Sequence, residues 1–135
     1  MIPFVDSGPY PTRGGNQLRP LIDGLPAFRR ICEAIESAER SVAATIAFMH
    51  AAFEMPDARG SALDVLERAA SRGVDVRIVF WRPHLEHHRH NAFWGSGAHF
   101  ALLRERAPHV NVRWDLAGEG YCQHQKSWLI DAGTG

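Results

Sequence analysis

Apolar residues recur every three or four positions in the first part of the chain, which is typical of one buried face of a helix. The positions with this spacing are Phe28, Ile31, Cys32 and Ile35. Asp23 offers an N-cap, and Pro26 suits the first turn of a helix. We therefore predict a helix over about 26–40.

Two apolar runs in the middle of the chain predict strands. SVAATIAFMH, residues 41–50, is apolar almost throughout, which is typical of a strand buried on both faces in a parallel sheet. VDVRIVFW, residues 74–81, alternates before it becomes apolar and predicts a second strand. Between them, SALDVLERAASRG predicts a helix that begins after Ser61, with Asp64 in the position of the capping-box glutamate.

The last third of the chain predicts one more helix and two more strands. The helix covers 98–107 and is stopped by Pro108, and strands follow at 109–116 and 121–131. Helices that alternate with strands favour an α/β fold, in which a mostly parallel or mixed β-sheet is flanked by helices.

The composition is that of an ordinary globular domain. Apolar residues make up 45% of the chain and charged residues 22%, which argues against a mostly disordered protein. Lys plus Arg and Asp plus Glu are balanced at 15 each, so the chain lacks the basic excess of a general nucleic-acid binder. Residues 1–20 are rich in Pro and Gly and predict an irregular lead-in, and we assign 21–135 to one domain or to the N-terminal portion of one.

The N-terminal segment lacks a basic region followed by a long apolar stretch, which argues against a retained secretory signal, and no apolar run is long enough to span a bilayer. We therefore expect a cytoplasmic protein whose membrane contact, if it has any, is peripheral. Cys32 and Cys122 do not form a disulfide framework, and we expect both to be reduced.

Two features of the loop over 82–96 have alternative interpretations. HLEHHRH, residues 84–90, fits no closed tetrahedral metal site, so a solvated loop is favoured over a metal centre. Phe93 and Trp94 could enter a membrane interface or pack beneath the loop, and packing is the commoner outcome.

The last predicted strand carries two basic residues. His124 and Lys126 are two positions apart, so on a strand they point to the same face, with Cα atoms about 6.5–7 Å apart. Both tips can then contact one small anion. Trp128, Leu129 and Ile130 indicate a well-buried strand, on which an unpaired ammonium would be costly. An edge strand with a solvated polar face remains the alternative.

HQKSWLID, residues 124–131, has the form His-x-Lys-x4-Asp and resembles the signature of the phospholipase D superfamily. The segments NQLRPLIDG, AFRRICEAIESAERSV, SALDVLERAASRGVDVRIVFW and NVRWDL resemble other parts of the N-terminal half of such a domain. The resemblance implies a metal-independent phosphodiesterase or phosphatidyltransferase, without a cofactor, that forms a covalent phosphohistidine. It covers nearly the whole chain beyond the lead-in.

The same resemblance implies catalytic roles for three residues of the motif. His124 would be either the nucleophile that attacks phosphorus or the acid that protonates the leaving oxygen, and its place in a first motif favours the nucleophile. Lys126 would stabilise the charge on the phosphoryl oxygens. By strand parity Asp131 points away from both, so we expect it to support or orient the site instead of reacting.

Two departures from the family pattern affect the expected organisation. The chain ends before the Gly or Ser and the Asn that usually follow the aspartate. A second His-x-Lys motif is absent, because no lysine lies two residues after any other histidine. Those histidines are His50, His84, His87, His88, His90, His99 and His109. The second motif would come from a missing C-terminal half, which the abrupt end favours, or from a partner chain.

Substrate and partner remain expectations of the resemblance. We expect a phospholipid or another phosphodiester, with nucleic acid as the less favoured substrate because of the neutral charge. One alternative is a nuclease of the same superfamily that works as a homodimer. Another is a non-catalytic module that binds phosphate without turnover.

Overall fold

The computed structural model describes residues 14–47, 49–82, 97–116 and 121–132. Its elements are α1 (Gly24–Glu36), β1 (Ser41–Ile46), α2 (Ala62–Ser71), β2 (Asp75–Arg82), α3 (Gly97–Arg106), β3 (Asn111–Leu116) and β4 (Lys126–Ile130). The predicted order of helices and strands is confirmed, and so is the α/β class.

The four strands of the described residues form one mixed sheet in the order β3-β2-β1-β4. β1, β2 and β3 are parallel, so their carboxyl ends meet at one edge of the sheet, which we call the carboxyl edge. β4 runs antiparallel to β1, with Lys126 opposite Ile46 and Ile130 opposite Val42. The first residue of β4 therefore lies at the carboxyl edge.

The strands bury one face against the helices. Val42, Ala44 and Ile46 of β1 belong to the same core cluster as residues of all three helices, whereas Ala43 is exposed. The expected burial of β1 on both faces is therefore wrong. The described helices all contribute to one core, on the side of Val42 and Ile46, whereas on the other face of the strand Ala43 is exposed and Ser41 and Thr45 are half-buried.

Three predicted boundaries differ from the structure. α1 ends at Glu36, because the backbone of the following residues turns into β1. β1 ends at Ile46 instead of continuing to residue 50, and Phe48 lies outside the described residues. β4 begins at Lys126 instead of residue 121, since its partner strand β1 provides no pairing beyond Ile46.

β4 is an edge strand, and its burial is incomplete. Leu129 remains 51% exposed, so the expectation of a well-buried strand is wrong for this residue. Trp128 and Ile130 are half-buried and pack against the core from the opposite side of the strand. Cys122, predicted to lie in this strand, is exposed in the segment before it, and Cys32 is buried; both thiols are free.

The capping box predicted at the start of α2 is present. The hydroxyl of Ser61 accepts a hydrogen bond from the Asp64 backbone N–H (3.4 Å), and the Asp64 carboxylate accepts one from the Ser61 N–H (2.7 Å). Arg106 of α3 also donates to this carboxylate at 2.8 Å. The start of α2 is therefore bound to α3 as well as capped.

Replacing Ser61 by alanine is expected to lower the free energy of unfolding by about 1 kcal/mol, because it removes the N-cap acceptor. Chemical denaturation followed by circular dichroism measures the loss. Ser71→Ala, at the exposed end of the same helix, is the matched control and should change stability by less than about 0.5 kcal/mol. Equal losses in the two variants would contradict the capping role.

Candidate active site

The predicted basic pair lies at the carboxyl edge of the sheet. Lys126 is the first residue of β4, and His124 lies two residues before it, in a segment without assigned secondary structure. Ligands of open α/β sheets commonly bind outside the carboxyl ends of the strands. Lys126 is also the only lysine of the 135 residues, so the other basic side chains apart from histidine are all arginines.

The structure brings the tips of His124 and Lys126 together. The Lys126 Nζ lies 3.3 Å from His124 Nδ1 and also donates to the backbone carbonyl of His124 at 3.1 Å. An ammonium has only hydrogen-bond donors, so Nδ1 must accept in this contact. The proton of the neutral imidazole is then on Nε2.

Lys126 also lines a groove between α1, the end of β1 and β4. The groove has a volume of about 450 Å³ and walls that are mostly apolar. Its lining residues are Phe28, Ile31, Ile46, Met49, His50, Phe53, Met55, Ala62, Lys126 and Trp128. We call it the apolar groove. His124 is not among these residues, so Lys126 connects the groove to the imidazole beside it.

His50 shares the apolar groove with Lys126, although it was not selected from the sequence motif. Its Nδ1 accepts a hydrogen bond from the Ala52 backbone N–H at 3.3 Å, and its carbonyl accepts one from Phe53 N–H at 3.0 Å. The motif criterion excluded His50 because no lysine follows it two residues later. Its place at the carboxyl end of the strand predicted over 41–50 was the signal that could have identified it.

Asp131 lies at the other end of β4. Its carboxylate accepts hydrogen bonds from the backbone N–H groups of Glu39 (3.0 Å), Arg40 (2.7 Å) and Ser41 (2.9 Å). The Arg40 guanidinium donates to the Asp131 carbonyl at 2.8 Å. Asp131 follows Lys126 by five positions, which is a distance of about 17 Å along a strand. The structure therefore joins Asp131 to the connection between α1 and β1, and not to the other two motif residues.

Comparisons with known proteins assign no family. No protein-family model matches the chain, and no curated protein matches it. The resemblance to the phospholipase D superfamily therefore rests on the sequence segments quoted above, and the activity that it implies is a proposal.

The two features predicted in the loop over 82–96, which are the histidine-rich stretch 84–90 and the aromatic pair Phe93 and Trp94, lie outside the described residues. Within the described ranges, no three His, Cys, Asp or Glu side chains are grouped so that they could hold a metal ion. None of the helices described there is long and apolar enough to cross a membrane.

The hydrogen bonds to Asp131 make stability depend on pH. Backbone N–H groups, that of Glu39 first and then those of Ser41 and Arg40, hold the pKa of Asp131 below its usual value. A carboxyl group whose pKa is lower in the folded state stabilises the fold above the unfolded pKa of about 3.9. This contribution is lost as the pH falls through the folded pKa.

We therefore expect the Asp131→Asn variant to be less stable than the wild type at pH 7. Below pH 4 this difference in stability should become smaller, because Asp131 of the wild type is then partly protonated. The amide retains one acceptor oxygen but not the charge, and asparagine tolerates the positive φ of 49° found at this position. Urea denaturation at pH 7 and pH 3.5 measures the difference. Asp115→Asn, at an exposed position on β3, is the control. The same pH dependence in both variants would contradict the stabilising role of the backbone hydrogen bonds to Asp131.

Proposed function

We propose that the chain contributes one half of a phospholipase D-like active site, which cleaves or exchanges phosphodiesters, phospholipids in particular, through a phosphohistidine at His124. The observation that carries the proposal is the 3.3 Å contact between Lys126 Nζ and His124 Nδ1 at the carboxyl edge. An ammonium beside an imidazole offers a cation for the phosphoryl oxygens and a nucleophile for phosphorus within one small site.

A bound phosphodiester would compete with His124 for the ammonium of Lys126. A hydrogen bond between two charged groups is stronger than one to a neutral ring nitrogen, so the ammonium turns to a phosphoryl oxygen. The Nδ1 lone pair is then released. It attacks phosphorus, the new P–N bond forms, and the P–O bond to the leaving alcohol breaks with its electron pair on oxygen.

The leaving oxygen needs a proton, and the phosphohistidine needs water or an alcohol to release it. In the proposal both proton transfers belong to a second imidazole, from a second His-x-Lys motif in a partner copy or elsewhere in a longer protein. That imidazole donates to the leaving oxygen and then accepts a proton from the attacking hydroxyl. Peripheral contact with a membrane would present the phospholipid to the site.

A nitrophenyl phosphodiester tests the half-site alone, because nitrophenolate leaves without being protonated. We expect the chain to release nitrophenol in the presence of EDTA, with one rapid turnover per site. Lys126→Met should slow this first turnover by about 10²–10³-fold, the usual effect of removing one donor to a developing anion.

Two further variants make the result specific to Lys126. Lys126→Arg keeps a cation and should retain more of the rate than Lys126→Met. Arg77→Met removes an exposed cation on β2, which is paired with Asp75, and should leave the rate unchanged. Nitrophenol release at the wild-type rate from Lys126→Met would contradict the proposed role of the ammonium.

A phosphate-binding module without turnover is the second candidate. The observation that favours it is the same contact, since the ammonium holds the Nδ1 lone pair of His124 in this structure. Such a module would bind a diester with Lys126 and would release no nitrophenol. The first-turnover measurement therefore separates the two candidates.

A further inference from the structure

We infer that His50 and Lys126 hold the phosphoryl group of the diester between them, while an alkyl substituent of that diester occupies the apolar groove. This inference rests on the proposed function and deepens it, because it adds a binding residue outside the His-x-Lys motif and assigns the groove to one part of the substrate. The occupant is thus an anionic phosphodiester with an apolar chain.

The hydrogen bonds of His50 prepare its ring to donate to an anion. Ala52 N–H donates to Nδ1 at 3.3 Å, so in the neutral ring the proton is on Nε2. The turn closed by Phe53 N–H and the His50 carbonyl, at 3.0 Å, fixes the backbone that carries the ring. His50 can therefore offer an N–H to a phosphoryl oxygen without first becoming charged.

The register of the sheet explains why His50 and Lys126 meet in one groove. Lys126 pairs with Ile46, the last residue of β1, and His50 follows Ile46 by four positions in the chain. Both side chains line the groove, one from each of two neighbouring strand ends. An anion bound there would be contacted by a cation from β4 and a neutral donor from the turn after β1.

The remaining walls of the groove are suited to an alkyl chain. Phe28 and Phe53 pack with their ring centroids 5.0 Å apart, yet they remain 37% and 44% exposed. Met49 and Trp128 add further apolar surface. A volume of about 450 Å³ lies within the ~300–1,000 Å³ range of small-molecule sites. The sugars of a nucleic-acid diester would instead lose hydrogen bonds to water against these walls.

Binding of methyl alkyl phosphodiesters tests the role of the groove, with alkyl chains of two to eight carbons and titration calorimetry as the readout. We expect affinity to rise about 3- to 4-fold for each methylene that enters the groove. Phe53→Ser should flatten this dependence. Leu129→Ser, on the opposite face of β4, removes an exposed apolar side chain outside the groove and should leave it unchanged.

Two replacements of His50 test its donor role. His50→Phe removes the N–H and should weaken binding of every diester in the series by about tenfold or more, the usual value of a hydrogen bond to a charged group. His50→Gln places an amide donor near the position of Nε2 and should restore most of the affinity. Methylation of the single lysine with ¹³C-formaldehyde provides an NMR signal from Lys126, which should shift when any of the diesters binds.

The outcomes separate this inference from the proposed function. Affinity that does not depend on chain length, an unchanged dependence in Phe53→Ser, or equal affinity for a dinucleotide and for the octyl diester would overturn the assignment of the groove. Unchanged affinity in His50→Phe would overturn the role of His50. Tight binding of the octyl diester without nitrophenol release would uphold the inference and refute the enzymatic proposal.

Discussion

Replacement of His124 by alanine is expected to lower the rate of nitrophenyl diester cleavage by at least about 10³-fold. The ammonium of Lys126 has no lone pair, so it cannot form the phosphorus–nitrogen bond in place of His124. Loss of the nucleophile removes the route through a phosphohistidine. The remaining reaction is direct attack of water on phosphorus, which only the charge of Lys126 would assist. His124 is exposed and precedes β4, so the fold should tolerate the change. Stopped-flow absorbance of nitrophenolate measures the rate.

A second histidine variant controls for a general effect of losing an imidazole. His109 precedes β3, at the amino end of the parallel strands and away from the carboxyl edge. His109→Ala should therefore keep the wild-type rate, although it loses the contact with Glu67. Thermal denaturation of both variants shows whether each is folded. A folded His124→Ala protein with wild-type turnover would show that His124 is not the nucleophile.

Replacement of Phe80 by alanine is expected to lower the free energy of unfolding by about 3–5 kcal/mol. Phe80 is fully buried on the central strand β2, and its ring centroid lies 5.4 Å from that of Trp114 on β3. Truncation removes apolar contacts and leaves a cavity between the sheet and the helices, and this cavity adds to the loss of hydrophobic burial.

Val79→Ala is the matched control for Phe80, since it changes the next residue of the same strand. Val79 points to the other face of the sheet and is 37% exposed, so its truncation should cost less than about 1 kcal/mol. Urea denaturation followed by circular dichroism compares the two variants. Similar losses at both positions would contradict the difference in burial between Phe80 and Val79.

Local patterns predicted α2 well because the signals for its start lie next to one another in the chain. Ser61 and Asp64 cap each other, and Gly73 follows the helix with a φ of 93°, a conformation that glycine adopts without strain. The strand ends were predicted less well, because the end of a strand depends on its neighbour. β4 starts at Lys126 because β1 stops opposite it at Ile46, and no sequence pattern near residue 121 carries that information.

The candidate site was only partly predictable for the same reason. The spacing of His124 and Lys126 predicted that their tips would meet, and Nζ and Nδ1 lie 3.3 Å apart. From strand parity we predicted only that the side chain of Asp131 points away from His124 and Lys126. The structure also shows that Asp131 lies at the other end of β4, where its carboxylate accepts three backbone hydrogen bonds. His50 and Lys126 line one groove because β4 pairs with β1, about eighty positions earlier in the chain, and a motif of eight residues cannot encode that pairing.

Trapping of the covalent intermediate tests the proposed activity most directly. The chain is mixed with a nitrophenyl phosphodiester, quenched in base within the first turnover, digested and analysed by mass spectrometry. We predict one phosphoryl adduct per chain, on the imidazole of His124, which is stable in base and lost in acid as a phosphohistidine should be. Nitrophenol release that proceeds with no adduct on His124, or with the adduct on another residue, would contradict the proposed mechanism.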